Sequence, residues 1–544
     1  MKKHFLLILT VMMMSSVAIN AQNVRYIDSV ITSVTVDSNV VYATNYTIAN
    51  IILQQTTRTT RQNLTANVHR PTTDTETKRP LVIMFHSGNF LPQVASRGYS
   101  GRKEDSVVST LCRQFAHRGY VAASATYRVG WNPVDPNQDN RTSLLINASY
   151  KGLQDARTAV RFFKRNATQY GIDTTKIMLL GVGTGGYVVL GAAALNDYNQ
   201  ILTAKFPANK FINSTTGFPM VIERLAPPAG YVAGDIEGKQ LGTVPSIGGP
   251  VPPVGDTLNL PNHIANTSDF AMCVNLGGAV GDLTWIDGAR AATATVPARA
   301  ATVPTLTFHV PYDQFAPYTS LTLRVATGPG TSLPVVEVQG GLLVQRRMDS
   351  LGLNDVFKKP ILAKYNPYKT LFETRAKAFD GSNATSTGLF PMLGDTISDS
   401  SPWDYVGPND PFASAIFNGA PRASRTRALR YIDTVMTVIL PRACIALKLP
   451  CAGTVTSTED LLQSSTTKLF ASPNPARTAI TFESEVVNPM QSIQLFDLAG
   501  RQVMQVKVNS HNYTMPRNGL PAGMYVAKVK FEGGILTKKI VFEN

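Results

Sequence analysis

The chain has 544 residues, of which 44% are hydrophobic and 16% are charged, and this balance excludes a wholly disordered protein. Its length allows about two to four domains. The 51 basic and 36 acidic residues give a net charge of +15, which favours anionic partners. The basic residues are scattered along the chain, so the sequence does not predict a nucleic-acid-binding protein.

Residues 1–21 predict a secretory signal peptide. Lys2 and Lys3 precede a short apolar run, and small residues follow it, so we expect cleavage after Ala18 or Ala21. No later stretch reaches the roughly 20 apolar residues that a membrane-spanning helix needs. The sequence therefore predicts an exported protein with no transmembrane segment once it is processed. For such a protein, an anionic surface glycan is a better candidate partner than nucleic acid.

The next part of the chain predicts strands that alternate with helices. Residues 23–72 alternate polar and apolar side chains, as antiparallel strands do. The apolar run 81–85 predicts a strand that is covered on both faces. A helix, a strand, a second helix and a strand that ends in glycines follow, at residues 105–120, 120–131, 150–171 and 176–186. This order predicts a doubly wound, mostly parallel α/β sheet.

From residue 209 onward the composition of the chain changes several times. Residues 209–270 are rich in Pro and Gly and predict a loop-rich insertion, which we expect to cover a site. The α/β pattern then returns, so we assign 22–453 to one domain. Residues 454–468 form a polar linker, and residues 469–544 predict a small all-β sandwich domain of short alternating strands.

The C-terminal unit resembles the sorting domain of the type IX secretion system. Four elements carry the resemblance in the family's order: Ser-Pro-Asn-Pro at 472–475, the segments 495–501 and 520–525, and a basic pair at 538–539. The resemblance implies that the type IX secretion machinery is a partner. It also implies export to the outer-membrane surface of a Gram-negative bacterium, followed by release or attachment.

The preceding unit resembles α/β-hydrolases of the carboxylesterase and lipase type, over about residues 41–452. Residues 68–90 resemble the strands that lead to the oxyanion loop, and residues 154–186 resemble the helix and the nucleophile elbow. Residues 306–318 resemble the strand that ends in the catalytic acid. The resemblance implies an α/β-hydrolase fold in which Asp313 is the acid.

The elbow departs from the G-x-S-x-G pattern, because the nucleophile position is Gly183. Glycine relieves the backbone strain of this turn but carries no hydroxyl. Thr184 is a weak substitute, since the residue after the nucleophile usually contributes its backbone N–H. The oxyanion loop is altered as well: it reads His86, Ser87, Gly88 and Asn89, where the family often has His-Gly-Gly-Gly.

The histidine base is also missing from its expected place. The family order is Ser, Asp, His, and after Asp313 the only histidine is His511, which lies in the sorting domain. His309 precedes the acid on its strand and is best explained as a packing residue. His263, in the insertion, is a weak candidate for the base.

These departures predict a secreted or surface-attached pseudo-hydrolase with a binding or structural role, whose old pocket holds a small ligand or an anionic surface glycan. The alternative is an active or rewired carboxylesterase-type hydrolase that acts on esters through Thr184 or a hydroxyl from the insertion, with His263 as the base. A third interpretation is a carrier or adhesin that uses the fold as a scaffold. The sequence shows no cofactor motif and no metal-ligand spacing.

The four cysteines allow one short disulfide. Cys444 and Cys451 are close in sequence, and an oxidising compartment permits a bond between them. Cys112 and Cys273 lie in apolar surroundings and are expected to be buried thiols.

Overall fold

The computed structural model describes most of the chain, namely residues 24–96, 98, 100–225, 230–245, 252–291, 300–328, 330–380, 386–394, 399–406, 424–456, 469–484, 489–531 and 534–544. The predicted signal peptide lies outside the described residues, and so does most of the predicted linker. No helix in the described part has both the length and the apolar character that crossing a bilayer requires.

An eight-stranded sheet forms the centre of the first unit. Its strands follow the order β1-β2-β4-β3-β5-β8-β9-β12. Seven strands run in the same direction, and β2 runs in the opposite one. The strands are β1 (Val34–Thr47), β2 (Thr60–Pro71), β3 (Arg79–Phe85), β4 (Val121–Ala125), β5 (Ile172–Val182), β8 (Met272–Leu276), β9 (Thr305–His309) and β12 (Leu389–Pro391). This mostly parallel sheet confirms the predicted fold class.

Helices cover both faces of the sheet. They are α1 (Ala49–Ile52), α2 (Gln93–Ser96), α3 (Ser106–Ala116), α4 (Gln138–Arg165), α5 (Ala167–Tyr170), α6 (Thr184–Ala194), α7 (Asn199–Leu202), α8 (Gly341–Ser350), α9 (Lys369–Asp380), α10 (Arg425–Ala446) and α11 (Ala452–Val455). The long helix α4 begins earlier than the sequence predicts, because the side chain of Asn137 caps it by accepting the amide of Asn140.

The alternation of side chains along the buried strands builds two cores. In β3, Leu81 and Ile83 point to the face that α4 and α6 cover, whereas Val82 and Met84 point to the face that α3 and α10 cover. All four side chains are fully buried. A strand that is apolar on both faces can lie only between two helical layers, which is why this run predicts the sheet so well.

The predicted insertion packs against the side of the sheet, and its described residues contain two short strands, β6 (Gly242–Thr243) and β7 (Thr257–Asn259). Buried side chains of α4 hold its backbone. Gln154, Arg157 and Arg161 donate hydrogen bonds to the carbonyl oxygens of residues 233, 236 and 237, respectively. These contacts satisfy backbone oxygens that would otherwise be buried without partners.

The C-terminal unit consists of two small antiparallel sheets, in the orders β13-β14-β17 and β16-β15-β18-β19. Its strands are β13 (Leu469–Ser472), β14 (Ala479–Ser484), β15 (Met490–Phe496), β16 (Gln502–Ser510), β17 (Asn512–Pro516), β18 (Gly523–Phe531) and β19 (Gly534–Phe542). The unit has an apolar core of its own, to which Phe482 and Leu495 contribute fully buried side chains.

The cysteines are arranged as their spacing allows. Cys444 and Cys451 form a disulfide with their Cα atoms 5.6 Å apart, at the end of α10. Cys112 and Cys273 are buried free thiols.

The hairpin β10 (Ser320–Gly328) and β11 (Thr331–Gln339) completes the first unit.

Candidate active site

A cavity of about 670 Å³ opens where the parallel strands end. Gly183 follows β5, Gly277 follows β8, Asp313 follows β9 and Ser400 follows β12, and all four line this cavity. The carboxyl ends of parallel strands are where open α/β sheets bind their ligands. The sequence-predicted elbow and acid are therefore brought together at one site.

Gly183 forms the sharp turn between β5 and α6. Its backbone has φ 53° and ψ −114°, and its amide donates to the carbonyl oxygen of Leu276 at 2.7 Å. An ideal Cβ at this position would overlap Ser87 Oγ and lie 3.1 Å from Ser87 Cβ. The positive φ and the neighbouring hydroxyl both favour glycine here, since a side chain would be strained and would force the Ser87 hydroxyl to rotate.

The oxyanion loop is fixed to the elbow by hydrogen bonds. The Asn89 amide donates to Thr184 Oγ1 at 2.7 Å, and Trp131 Nε1 donates to the Asn89 carbonyl oxygen at 2.8 Å. Tyr127 donates to the carbonyl oxygen of His86 at 3.0 Å. Gly88 has φ 119° and lies so close to Gly101 that a Cβ would be 2.7 Å from its Cα. The loop is therefore held in one conformation beside the turn.

The two hydroxyl groups at the elbow differ in availability. Thr184 is buried, and its hydroxyl already accepts the Asn89 amide. Ser87 is half-buried and lines the cavity. Among the residues that the structure describes, none forms a hydrogen bond with the Ser87 hydroxyl. The hydrolase resemblance assigns Ser87 only to the oxyanion loop and gives no signal for this unpaired hydroxyl.

Asp313 occupies the predicted acid position after β9. Its Oδ1 accepts the amides of Phe315 and Ala316 at 2.7 and 3.0 Å, and its carboxylate also interacts with the Ser400 hydroxyl. Burial raises the pKa of Asp313 despite these hydrogen bonds. Oδ2 lies 3.6 Å from the position that a Cβ on Gly277 would take, so this oxygen is directed towards the strand end beside the elbow.

Three histidines named in the sequence analysis make contacts that do not place them as a base beside Gly183. His263 does not line the cavity: its Nε2 hydrogen bonds to the Tyr42 carbonyl oxygen at 2.8 Å, on the side of the sheet where the insertion packs. The structure thus does not bring this weak candidate to the elbow. His309 is buried and hydrogen bonds to the Ala316 carbonyl oxygen at 2.8 Å, as a packing residue would. His86 stacks on Tyr127, and burial lowers its pKa to about 4.

Two polar residues that sequence reasoning missed enter the cavity from the loop after β12. Both Ser400 and Asp404 line the cavity, and they follow the stretch 379–393 in which the hydrolase resemblance places the histidine loop. Asp404 is buried, and burial together with the negative charges of Asp105 and Asp399 raises its pKa to about 8. Their place in the sequence could have indicated them, since they lie in the loop that follows β12, the last strand of the sheet along the chain.

The raised pKa of Asp404 predicts a pH-dependent stability. An unfolded aspartate titrates near pH 4, so the native state holds a proton that the unfolded state loses between about pH 4 and 8. The stability that this proton contributes is fully present below about pH 4 and is lost as the pH rises through about 8. Asp105 and Asp399 oppose ionisation, whereas Arg427 favours it. Between pH 5 and 9 the melting temperature should fall more steeply for the natural protein than for Asp404→Asn. Parallel pH profiles of the two melting temperatures would contradict a raised pKa of Asp404.

The hairpin β10–β11 forms much of the cavity wall, a role that the sequence analysis gave to the insertion. Leu323, Val325, Val335 and Val336 of the hairpin line the cavity. Of the described residues in the range 209–270, only Phe211 does so. The described part of this insertion, apart from Phe211, therefore does not cover the site as expected, because α4 binds its backbone elsewhere.

Two family models match the chain. Residues 67–227 match BD-FAE, an α/β-hydrolase esterase family, and residues 471–543 match the secretion system C-terminal sorting domain. These matches confirm both predicted resemblances. The sorting domain implies secretion across the outer membrane through the type IX machinery.

Individual proteins give shorter or more distant matches. The chain is 30% identical over 77 residues to endo-1,4-beta-xylanase B of Butyrivibrio fibrisolvens, and this match spans 12% of that protein's length. Esterase 2 of Thermogutta terrifontis, phosphoramylated by tabun, is 14% identical, with 70% of this chain and 90% of that chain covered and a TM-score of 0.30. The same esterase phosphorylated by paraoxon is 18% identical, with 47% and 69% covered and a TM-score of 0.26.

The prediction of a non-catalytic pseudo-hydrolase is wrong. The matched segment 67–227 contains both the oxyanion loop and the elbow, and its family is one of esterases. The match favours the alternative, an ester hydrolase. Gly183 is thus a departure from the serine elbow within a segment that matches an esterase family.

Proposed function

We propose that this chain, which combines an esterase-family segment with a sorting domain, is an exported ester hydrolase. The observation that carries the proposal is the esterase-family match over the segment that holds both the oxyanion loop and the elbow. The cavity of about 670 Å³ at that elbow supports it, because it is large enough for a small-molecule ester.

The chemistry of ester hydrolysis suits the groups at this site. The first amides of α6 have no acceptor within their own helix, and the helix begins at Thr184 on the cavity wall. Such amides stabilise negative charge on a carbonyl oxygen as a tetrahedral intermediate forms. Asp313 supplies a carboxylate in the same cavity.

The cavity walls favour an ester with an apolar portion. Phe90, Trp131, Trp285 and Phe315 line the cavity together with the aliphatic side chains of the hairpin β10–β11. Burying the apolar part of a substrate against such walls contributes about 25 cal/mol for each Å² removed from water. Larger acyl esters should therefore bind better than acetates.

The sorting domain and the charge support a place of action outside the cell. We propose the division 22–453 for the hydrolase unit, 454–468 for the linker and 469–544 for the sorting unit, with activity at the outer surface of a Gram-negative bacterium or in the medium. A net charge of +15 favours esters carried on an anionic surface glycan over neutral polymers, through long-range attraction.

The test is hydrolysis of p-nitrophenyl acetate and butyrate by the whole chain. We expect measurable turnover that is faster with butyrate. Ser149 lines the cavity on α4, so Ser149→Trp should fill it and lower kcat/KM at least tenfold. Ser350→Trp, at the exposed end of α8, is the matched control and should leave the rate unchanged. Turnover that is absent in the natural protein, or equal in the two variants, would overturn the proposal.

A further inference from the structure

The elbow holds a hydroxyl group even though its central residue is glycine. The hydroxyl belongs to Ser87 of the oxyanion loop, and it occupies the space that a side chain at position 183 would enter. The serine-hydrolase elbow presents its hydroxyl from this turn towards the substrate. The chain thus has a hydroxyl close to the required point, carried by a different segment.

From this geometry, and resting on the proposed ester hydrolysis, we infer that Ser87 is the nucleophile of this enzyme and that the loop after β3 delivers it over Gly183. Glycine at 183 is then a requirement of the arrangement, because any side chain there would displace the Ser87 hydroxyl. The space left by Gly183 also explains why serine is tolerated at position 87, in an oxyanion loop that usually carries glycines.

The neighbouring hydroxyl is a poorer candidate for the same role. Thr184 is buried, and its hydroxyl accepts the Asn89 amide at 2.7 Å, a bond that also positions the loop. An attack by Thr184 would require that bond to break. Both residues line the cavity, but no described residue forms a hydrogen bond with the Ser87 hydroxyl, so this hydroxyl is available to a substrate carbonyl.

The reaction balances with groups that line the cavity. Ser87 Oγ forms a bond to the ester carbonyl carbon, and its proton passes to the Asp313 carboxylate, directly or through one water molecule. The carbonyl oxygen takes up the negative charge facing the first amides of α6. The bond to the alcohol then breaks, and the alcohol leaves with the proton from Asp313. Water hydrolyses the acyl-serine in a second round of the same steps.

The environment of Asp313 fits a base that must act without histidine. Burial raises the pKa of this carboxyl, which makes it a better proton acceptor than an exposed aspartate. Its Oδ1 is fixed by two backbone amides, so its Oδ2 keeps a constant direction towards Gly277. An Asp313→Asn variant retains the oxygen that those amides need and removes only the base.

The experiment combines turnover with covalent labelling of the whole chain. A p-nitrophenyl alkylphosphonate transfers its phosphorus to a reactive hydroxyl and releases p-nitrophenolate, and mass spectrometry of peptides then locates the adduct. We expect the adduct on Ser87, and at least a hundredfold lower kcat for p-nitrophenyl butyrate in Ser87→Ala and in Asp313→Asn. Ser109→Ala, on α3 outside the cavity, should behave as the natural protein does.

The outcomes separate this inference from the proposed function. An adduct on Thr184, Ser400 or Ser401, or more than a third of the natural turnover in Ser87→Ala, overturns the role of Ser87 while ester hydrolysis stands. Turnover without any adduct likewise overturns a covalent role for Ser87. An adduct on Ser87 without ester turnover supports its reactivity and overturns the hydrolase proposal, and the absence of both overturns both.

Discussion

Replacing Asp155 with Ala should lower the free energy of unfolding of the α/β unit by about 3–5 kcal/mol, because it leaves a buried arginine without its partner. The side chains of Arg128 and Asp155 are 1% and 0% exposed. Arg128 Nε donates to Asp155 Oδ1 at 2.9 Å, and the Arg128 amide donates to Oδ2 at 2.8 Å. An arginine cannot lose its proton to escape the cost of burial, so the whole penalty remains.

The same arginine joins three parts of the fold. Arg128 follows β4 and bonds to α4 through Asp155, and its Nη1 donates to the Leu258 carbonyl oxygen in β7 at 2.8 Å. Losing the carboxylate should therefore loosen the insertion as well as destabilise the sheet. Limited proteolysis within the range 209–270 should become faster in Asp155→Ala.

Urea unfolding of the whole chain measures the expected loss. Asp355→Ala is the matched control, since Asp355 pairs with Lys358 at 2.6 Å but both side chains are more than half exposed. Such an exposed pair contributes little to stability, so Asp355→Ala should unfold at nearly the same urea concentration as the natural protein. The double variant Arg128→Met with Asp155→Leu should recover much of the stability. A loss below about 1 kcal/mol in Asp155→Ala would show that water reaches this pair.

The sequence predicts the sheet well because its strongest signals are local. An apolar run at 81–85 can be buried only between two layers, and the glycines around position 183 close the turn between β5 and α6. The sorting domain is recognised by short motifs in a fixed order, and a family match confirms it. Each of these signals lies within one segment of the chain.

The features that sequence analysis missed depend on segments that are distant in sequence. Arg157 and Arg161 lie on the buried face of α4, and only the structure shows that they bind the backbone of the insertion at residues 236 and 237, which do not line the cavity. The overlap between a side chain at 183 and Ser87 is equally invisible in sequence. A missing hydroxyl at one position was therefore interpreted as a missing function, although another segment places a hydroxyl beside it.

Restoring serine at the elbow should lower activity instead of raising it. In Gly183→Ser the new Cβ would overlap Ser87 Oγ and lie 3.1 Å from Ser87 Cβ, so the Ser87 hydroxyl has to rotate away from the turn. The new residue must also adopt φ 53°, and such a backbone costs about 1–3 kcal/mol outside glycine. We expect at least a tenfold loss of p-nitrophenyl butyrate turnover and slower phosphonate labelling of Ser87.

A second test moves the serine hydroxyl from position 87 to position 183 and leaves the total number of side-chain atoms at the two positions unchanged. The double variant Ser87→Gly with Gly183→Ser removes the overlap and places the only free hydroxyl of the pair at the elbow, still near Asp313 and the first amides of α6. It should recover turnover above that of Gly183→Ser alone, and the phosphonate should then label position 183. A rise in turnover on Gly183→Ser alone would instead show that the elbow is the natural place of the nucleophile and that Ser87 only shapes the loop. Side chains at positions 87 and 183 compete for one space. If Ser87 is the nucleophile, Gly183→Ser must therefore lower turnover, and adding Ser87→Gly to that variant must raise turnover again.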